Sequence, residues 1–133
     1  MQKNRGLTII EALLILIIIG IGAIVFFHQK SELDALGRDD TRKSAINAIY
    51  YALEESYYKD NGYYPEYINP EVLSVINPDN FTDPSGHQLG DSESSYSYQA
   101  ADCYLGHCKE YILKTTLEKE ATFAKYSLSH TKE

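Results

Sequence analysis

The segment Lys3-Asn4-Arg5-Gly6-Leu7-Thr8-Ile9-Ile10-Glu11 and the apolar run 12–27 behind it decide the fold of this 133-residue chain. Between Leu7 and Phe27 the polar side chains are Thr8 and Glu11 alone. As one helix of about 21 residues at ~1.5 Å rise, this stretch would be roughly 31 Å long, close to a bilayer hydrocarbon core of ~30 Å. The pattern therefore predicts a membrane-spanning helix that begins near Leu7.

Two residues near the start of this helix need an explanation. Glu11 is an ionisable group inside the predicted span, where a carboxylate is costly unless it is paired. Gly6 marks a point where a peptidase could bind extended backbone, because glycine resists helix and carries no side chain. A chance glycine before a helix is common in single-pass proteins, but Lys3 and Arg5 before it and Glu11 after it argue against chance.

Basic residues, then Gly6, then Leu7-Thr8-Ile9-Ile10-Glu11 and an unbroken apolar helix resemble the prepilin signature of type IV pilins and type II secretion pseudopilins. The resemblance implies cleavage after Gly6 by a prepilin peptidase and methylation of the new terminus at Leu7. It also implies that Glu11 neutralises the terminal amine of Leu7 on a neighbouring subunit. The implied partners are other filament subunits, the prepilin peptidase and an inner-membrane assembly platform.

The charges around the span predict its orientation. Lys3 and Arg5 precede it and acidic sequence follows it, so we expect a cytoplasmic N-terminus and an outside location for everything after Phe27. A cleaved secretory signal would show a small-residue site after the apolar run, and none follows Phe27. The span is therefore expected to be retained, first in the cytoplasmic membrane and then, by the resemblance, in an extracellular or periplasmic filament.

Composition disfavours two classes of function. The formal charge is −7, and loss of Lys3 and Arg5 with the leader leaves 10 basic against 19 acidic residues, near −9. Such a balance is a poor basis for binding nucleic acid, which needs clustered Lys and Arg. The sequence shows no nucleophile, base and acid set and no glycine-rich phosphate loop, so we do not expect an enzyme. Twelve tyrosines suggest a surface or interface rich in amphipathic rings.

The helix is expected to continue in water as an amphipathic segment over residues 29–59. Its apolar face recurs at spacings of three and four, at Ile46, Ile49, Tyr50, Leu53 and Tyr57. The opposite face is predicted to carry Lys43, Asn47, Glu54 and Lys59. The stretch Gly37-Arg38-Asp39-Asp40 predicts a flexible point in the helix. Asp60-Asn61-Gly62 predicts the helix end, because Asn-Gly suits a left-handed cap.

Residues 60–133 are predicted to form a globular head with an α+β fold. Asn61 to Pro65 resembles the pilin loop that joins helix to sheet, and Asn69-Pro70-Glu71 predicts a short helix through Ile76. A turn-rich loop over 77–95 includes Asp83-Pro84-Ser85-Gly86, which resembles the Asp-Pro-x-Gly before the first strand of major pseudopilins. About three antiparallel strands should follow, around Tyr96 and Tyr98, over 111–117 and over 122–128.

Cys103 and Cys108 enclose four residues and, outside the cytoplasm, predict a disulfide. So small a ring contributes only ~2 kcal/mol in the loop-entropy account, so it would shape a turn more than hold the fold together. A zinc site that includes His107 is the alternative, but the spacing and the fourth ligand are missing.

Calcium is the one cofactor that the loop composition suggests. Asp83, Asp91 and Glu93 are hard oxygen ligands close in sequence, and some major pseudopilins bind calcium in this general region. Turn loops also collect aspartate because its side chain caps the backbone, which is the competing interpretation.

The sequence thus predicts four parts: a leader over residues 1–6, a filament-core span over 7–28, an amphipathic helix over 29–59 and a head over 60–133. The predicted function is a structural subunit of a type IV pilus or pseudopilus, serving attachment, motility or secretion. The competing prediction is an unprocessed, single-pass, membrane-anchored extracytoplasmic binding protein. A minor pilin for DNA uptake or adhesion would need a basic or aromatic patch at its tip.

Overall fold

A computed structural model describes residues 8–129 and shows one long N-terminal helix with a small antiparallel sheet, which confirms the α+β prediction. The chain divides into two compact units, residues 1–35 and residues 36–133. The helix is α1 (Ile9–Tyr51), a π-helical turn (Ala52–Tyr57) and α2 (Tyr58–Asn61). The strands are β1 (Tyr64–Pro65), β2 (Tyr96–Tyr104), β3 (His107–Thr115) and β4 (Phe123–Tyr126).

The predicted apolar face of the helix is confirmed within the second unit. Ile46, Ile49 and Leu53 are fully buried, and Tyr50 and Tyr57 pack partly buried against the same core. Burying each of these aliphatic side chains contributes about 1.5–3 kcal/mol. The sheet supplies the other side of the core, which includes Tyr64, Tyr96, Tyr111 and Leu113.

The helix ends where the sequence predicts. Gly62 has φ 77°, and its N–H donates to the Tyr58 carbonyl at 2.7 Å. This left-handed cap closes the last helical turn, and glycine adopts it without the steric cost that other residues meet.

α1 continues without a break through the predicted flexible point at residues 37–40, and a buried ion pair lies there. Asp39 is fully buried and accepts hydrogen bonds from the backbone N–H of Glu118 at 2.9 and 3.0 Å and of Lys119 at 2.9 Å. Arg42 donates to Asp39 at 2.9 Å and to Glu118 at 2.7 Å. The charged residues thus fasten the helix to the connection between β3 and β4.

Glu54 is a second correction, since the sequence placed it on the solvent face. It is buried in the π-helical turn and accepts hydrogen bonds from Tyr64 Oη at 2.9 Å, Tyr111 Oη at 2.8 Å and Leu128 N at 3.2 Å. A π-helical turn holds more residues than an α-helical one, so a face read at α-helical spacing shifts from Ala52 onward. These three donors also supply the hydrogen bonds that a carboxylate needs when it is buried away from water.

The three predicted strands are present, and the structure adds a fourth. β3 lies at the centre, paired antiparallel with β2 along one side and with β1 and β4 along the other. Tyr98 faces Leu113 in the β2–β3 register, and Thr115 faces Phe123 in the β3–β4 register. β1 holds only two residues, one of them Pro65, which is why the sequence reads as a loop there.

The connection before the sheet differs in detail from the prediction. Asn69 Oδ1 accepts from the N–H of Glu71 at 3.0 Å and of Val72 at 2.8 Å, as a helix cap would, but consecutive turns follow in place of a helix. Leu73 is nevertheless buried, as expected. A 3₁₀ helix over Pro78–Phe81, absent from the prediction, buries Phe81 in the core.

Candidate assembly site

The apolar N-terminal segment is exposed along its whole described length. Every residue from 8 to 31 has an exposed side chain, including the isoleucines, leucines and phenylalanines that follow Glu11. The helix is long and apolar enough to cross a membrane. A contiguous apolar surface of this size needs lipid or other apolar helices around it.

Thr8 and Glu11 form a capping box at the start of α1. The Thr8 N–H donates to Glu11 Oε2 at 2.9 Å, the Thr8 hydroxyl donates to the same oxygen at 3.1 Å, and the Glu11 N–H donates to the Thr8 hydroxyl at 3.3 Å. Threonine followed three residues later by glutamate is the sequence signature of this motif, which the sequence analysis missed. Glu11 therefore has a partner inside its own chain, while Gly6 and Leu7 lie outside the described residues.

The predicted disulfide between Cys103 and Cys108 is confirmed. The two cysteines face each other in the β2–β3 register and close a hairpin whose two-residue loop is Leu105-Gly106. Both loop residues have positive φ, 50° and 81°, as a type I′ turn requires. Zinc binding by these sulfurs is excluded while they are bonded to each other, and His107 stacks on Tyr63 with 3.7 Å between ring centroids.

The calcium candidates serve the backbone of their own loop. Asp83 is buried and accepts from the N–H of Ser85, His87 and Ser95 and from the Ser95 hydroxyl, at 2.8–3.1 Å. Burial alone would raise the pKa of Asp83, but these hydrogen bonds hold the pKa below its ordinary value. Asp91 accepts from the Gln88 N–H at 2.9 Å.

Glu93, the third candidate, lies 3.7 Å from the ring nitrogen of His87. Within residues 8–129, no three histidine, cysteine, aspartate or glutamate side chains gather as a metal site. The arrangement favours the capping interpretation of these aspartates over the calcium hypothesis.

Comparison with protein-family models, curated proteins and solved structures finds no match to this chain. The structure itself defines the class: an α+β domain on a long N-terminal helix with an exposed apolar segment that could span a membrane. The resemblance to pilins rests on the residues quoted above.

Proposed function

We propose that this chain is a subunit of a type IV pilus or pseudopilus and polymerises through its N-terminal helix. The observation that carries the proposal is the exposed apolar segment over residues 8–27 with Glu11 as the acidic group near its start. Outside a bilayer, packing such helices together removes their apolar surface from water at ~25 cal/mol per Å². Inside a bilayer the surface already contacts lipid, and close van der Waals packing drives the association instead.

In this proposal Glu11 has a second partner in the filament, the terminal amine of a neighbouring subunit. The capping box shows that its carboxylate already accepts hydrogen bonds near the helix start, through Oε2. Both hydrogen bonds from Thr8 go to Oε2, so the carboxylate could keep the cap and accept a charged donor through Oε1 as well. The pair would set the register between neighbouring helices.

The head supports the proposal by holding the second half of the helix firmly. The ion pairs from Asp39 and Arg42 to the β3–β4 connection, and the bonds from Glu54 to two tyrosines, join helix and sheet. A helix anchored in this way carries its head along when it packs into a filament. An extracytoplasmic disulfide agrees with the orientation that the flanking charges predict.

The intact mass of the protein, taken from membranes or from sheared surface filaments, tests the proposal. A chain that begins at Leu7, with or without one added methyl group, is the expected result. A chain that still begins at Met1, with no filaments, would overturn the proposal and favour a membrane-anchored binding protein.

A further inference from the structure

An open groove of about 410 Å³ lies in the head at the disulfide end of the sheet. Four separate parts of the chain form it: the end of the helix, the residues just after it, the β2–β3 hairpin and the segment that follows β4. The residues that line it are Tyr58, Gly62, Tyr63, Asp102, Tyr104, His107, Cys108, Lys109 and Ser129. Its volume lies within the range of small-molecule sites.

Aromatic rings supply the apolar part of the groove. Tyr104 is 78 % exposed and Tyr58 is 38 % exposed, so both rings have surface open to a ligand. Tyr63 also lines the groove, and its ring stacks on His107. The face of an aromatic ring is electron-rich and attracts weakly positive C–H groups, so such rings suit a ligand with a flat C–H face.

The polar part of the groove is an ion pair with no net charge. Asp102 Oδ2 and Lys109 Nζ are 3.0 Å apart, and both side chains are exposed. Ser129 lies beside them, and its hydroxyl donates to the Lys109 carbonyl at 2.6 Å. A paired carboxylate and ammonium can accept from and donate to ligand hydroxyls, but they do not favour a ligand of either charge.

A disulfide cross-links the hairpin side of the groove, and restricting this side lowers the entropy cost of binding. The disulfide and the β2–β3 register hold the hairpin, which contains two non-glycine residues with left-handed backbone. Asp102 at φ 53° lines the groove, and Leu105 at φ 50° lies in the hairpin loop. Left-handed backbone at non-glycine residues costs about 1–3 kcal/mol each and concentrates at binding sites. Leu105 is 82 % exposed, and it occupies a loop position at which asparagine is the preferred residue.

We infer that this groove binds a neutral sugar, with a pyranose ring stacked on Tyr104 and its hydroxyls bonded to Asp102 and Lys109. A pyranose has both parts that the groove matches, a C–H face and a rim of hydroxyls. The formal charge of −7 disfavours anionic polymers, and Lys109 beside Asp102 disfavours a cation over the tyrosines. The inference does not depend on filament assembly.

Binding to the full chain, in a detergent without a sugar headgroup, tests the inference. The probes are neutral oligosaccharides of gluco, galacto, manno and N-acetylated type at about 10 mM, a concentration that reveals even millimolar affinities. Saturation-transfer NMR should show at least one of them bound. Tyr104→Ala should weaken that binding roughly tenfold, whereas Tyr104→Phe should keep it, because the ring carries the contact.

Tyr67→Ala is the matched control, since Tyr67 is 69 % exposed and does not line this groove. It should leave sugar binding unchanged, and the thermal midpoint of Tyr104→Ala should equal that of the parent chain. Absence of binding by every probe would overturn the inference, as would equal losses in Tyr104→Ala and Tyr67→Ala. Binding of choline in place of the sugars, with the same dependence on Tyr104, would identify a cation site and also overturn it.

Discussion

Glu54 on the helix accepts a hydrogen bond of 2.8 Å from the hydroxyl of Tyr111 on β3, 57 positions later in the chain. Its other oxygen accepts from Tyr64 on β1 at 2.9 Å. One buried carboxylate thereby joins the helix to two strands of the sheet. This contact, together with the Asp39 ion pair, shows that buried polar groups as well as apolar residues determine how the helix meets the sheet.

Replacing Glu54 with leucine should destabilise the head by about 3 kcal/mol, because the hydroxyls of Tyr64 and Tyr111 and the N–H of Leu128 lose their acceptor. Urea unfolding of the chain in non-ionic detergent, followed by tyrosine fluorescence, measures the change. Glu55→Gln is the control, because Glu55 is exposed and pairs only with exposed Lys59 in the described contacts. Its effect should stay within about 0.5 kcal/mol, and an equal loss in both variants would contradict the role of Glu54.

The buried tyrosines should ionise only at a pH above the ordinary tyrosine range. Burial raises the pKa of Tyr96 to about 12, and burial followed by the bond to Glu54 raises the pKa of Tyr64 and Tyr111 still further. Burial also raises the pKa of Tyr98. A tyrosine in an unfolded chain ionises near pH 10.

Because these folded-state pKa values are raised, their contribution to stability is complete below about pH 10 and is lost as the pH rises through them. Tyrosinate absorbance should therefore still be rising near pH 12, where the buried tyrosines ionise together with unfolding. A single titration step of all twelve tyrosines near pH 10 would show that the core does not bury them.

Asp39→Ala should cost about 3–5 kcal/mol, since it leaves buried Arg42 without its buried carboxylate partner and removes the acceptor of two backbone amides. The neighbouring Asp40 is exposed and provides a matched control, for which the change should stay within about 0.5 kcal/mol. Urea unfolding under the same conditions compares the two variants. If Asp39→Ala is as stable as Asp40→Ala, the helix is not fastened at this point.

The same ion pairs predict how the head responds to acid. Hydrogen bonds from Arg38 and then Arg42 lower the pKa of Glu118 to about 2. Burial alone would raise the pKa of Asp39, but the amides of Glu118 and Lys119, with Arg42, hold the pKa below its ordinary value.

The pKa values of Glu118 and Asp39 are lower in the folded chain than in the unfolded chain. The stability that these two carboxylates provide is therefore present above about pH 4.5 and is lost as the pH falls toward 2. Urea midpoints measured across this range should fall steadily in the parent chain and less in Arg38→Gln, which already lacks one partner of Glu118. An identical slope in both proteins would contradict the assignment.

The sequence predicts most of this fold because its apolar residues follow regular periods. Ile46, Ile49 and Leu53 identify the buried face, and Gly62 the helix end, from local pattern alone. Asp39 and Glu54 could not be placed in that way, because each has a partner far along the chain: Tyr111 lies 57 positions after Glu54, and Glu118 lies 79 positions after Asp39. A charged residue in a helix is expected to face solvent until the fold brings hydrogen-bond donors to it, so the sequence placed Glu54 on the solvent face and gave no sign that Asp39 is buried.

At the candidate assembly site the sequence predicted the span and singled out Glu11 but missed its contact with Thr8, although the Thr-x-x-Glu spacing was visible. An experiment must therefore separate two roles of Glu11. In one it caps the helix of its own chain, and in the other its charge pairs with the amine of a neighbouring subunit. Glu11→Gln keeps an acceptor for the Thr8 N–H and removes the charge. Thr8→Ala keeps the charge and removes the hydroxyl of the capping box.

If the proposed pairing with the Leu7 amine is correct, Glu11→Gln should reduce the yield of sheared filaments at least tenfold, whereas Thr8→Ala should retain most of it. Amide exchange in the first helical turn should respond in the opposite order, with Thr8→Ala faster by roughly fivefold for a lost cap of ~1 kcal/mol. Asp34→Asn, an exposed acid further along α1, controls for loss of charge as such. Normal filaments from Glu11→Gln would show that its charge is not needed for assembly and that Glu11 serves the helix cap instead.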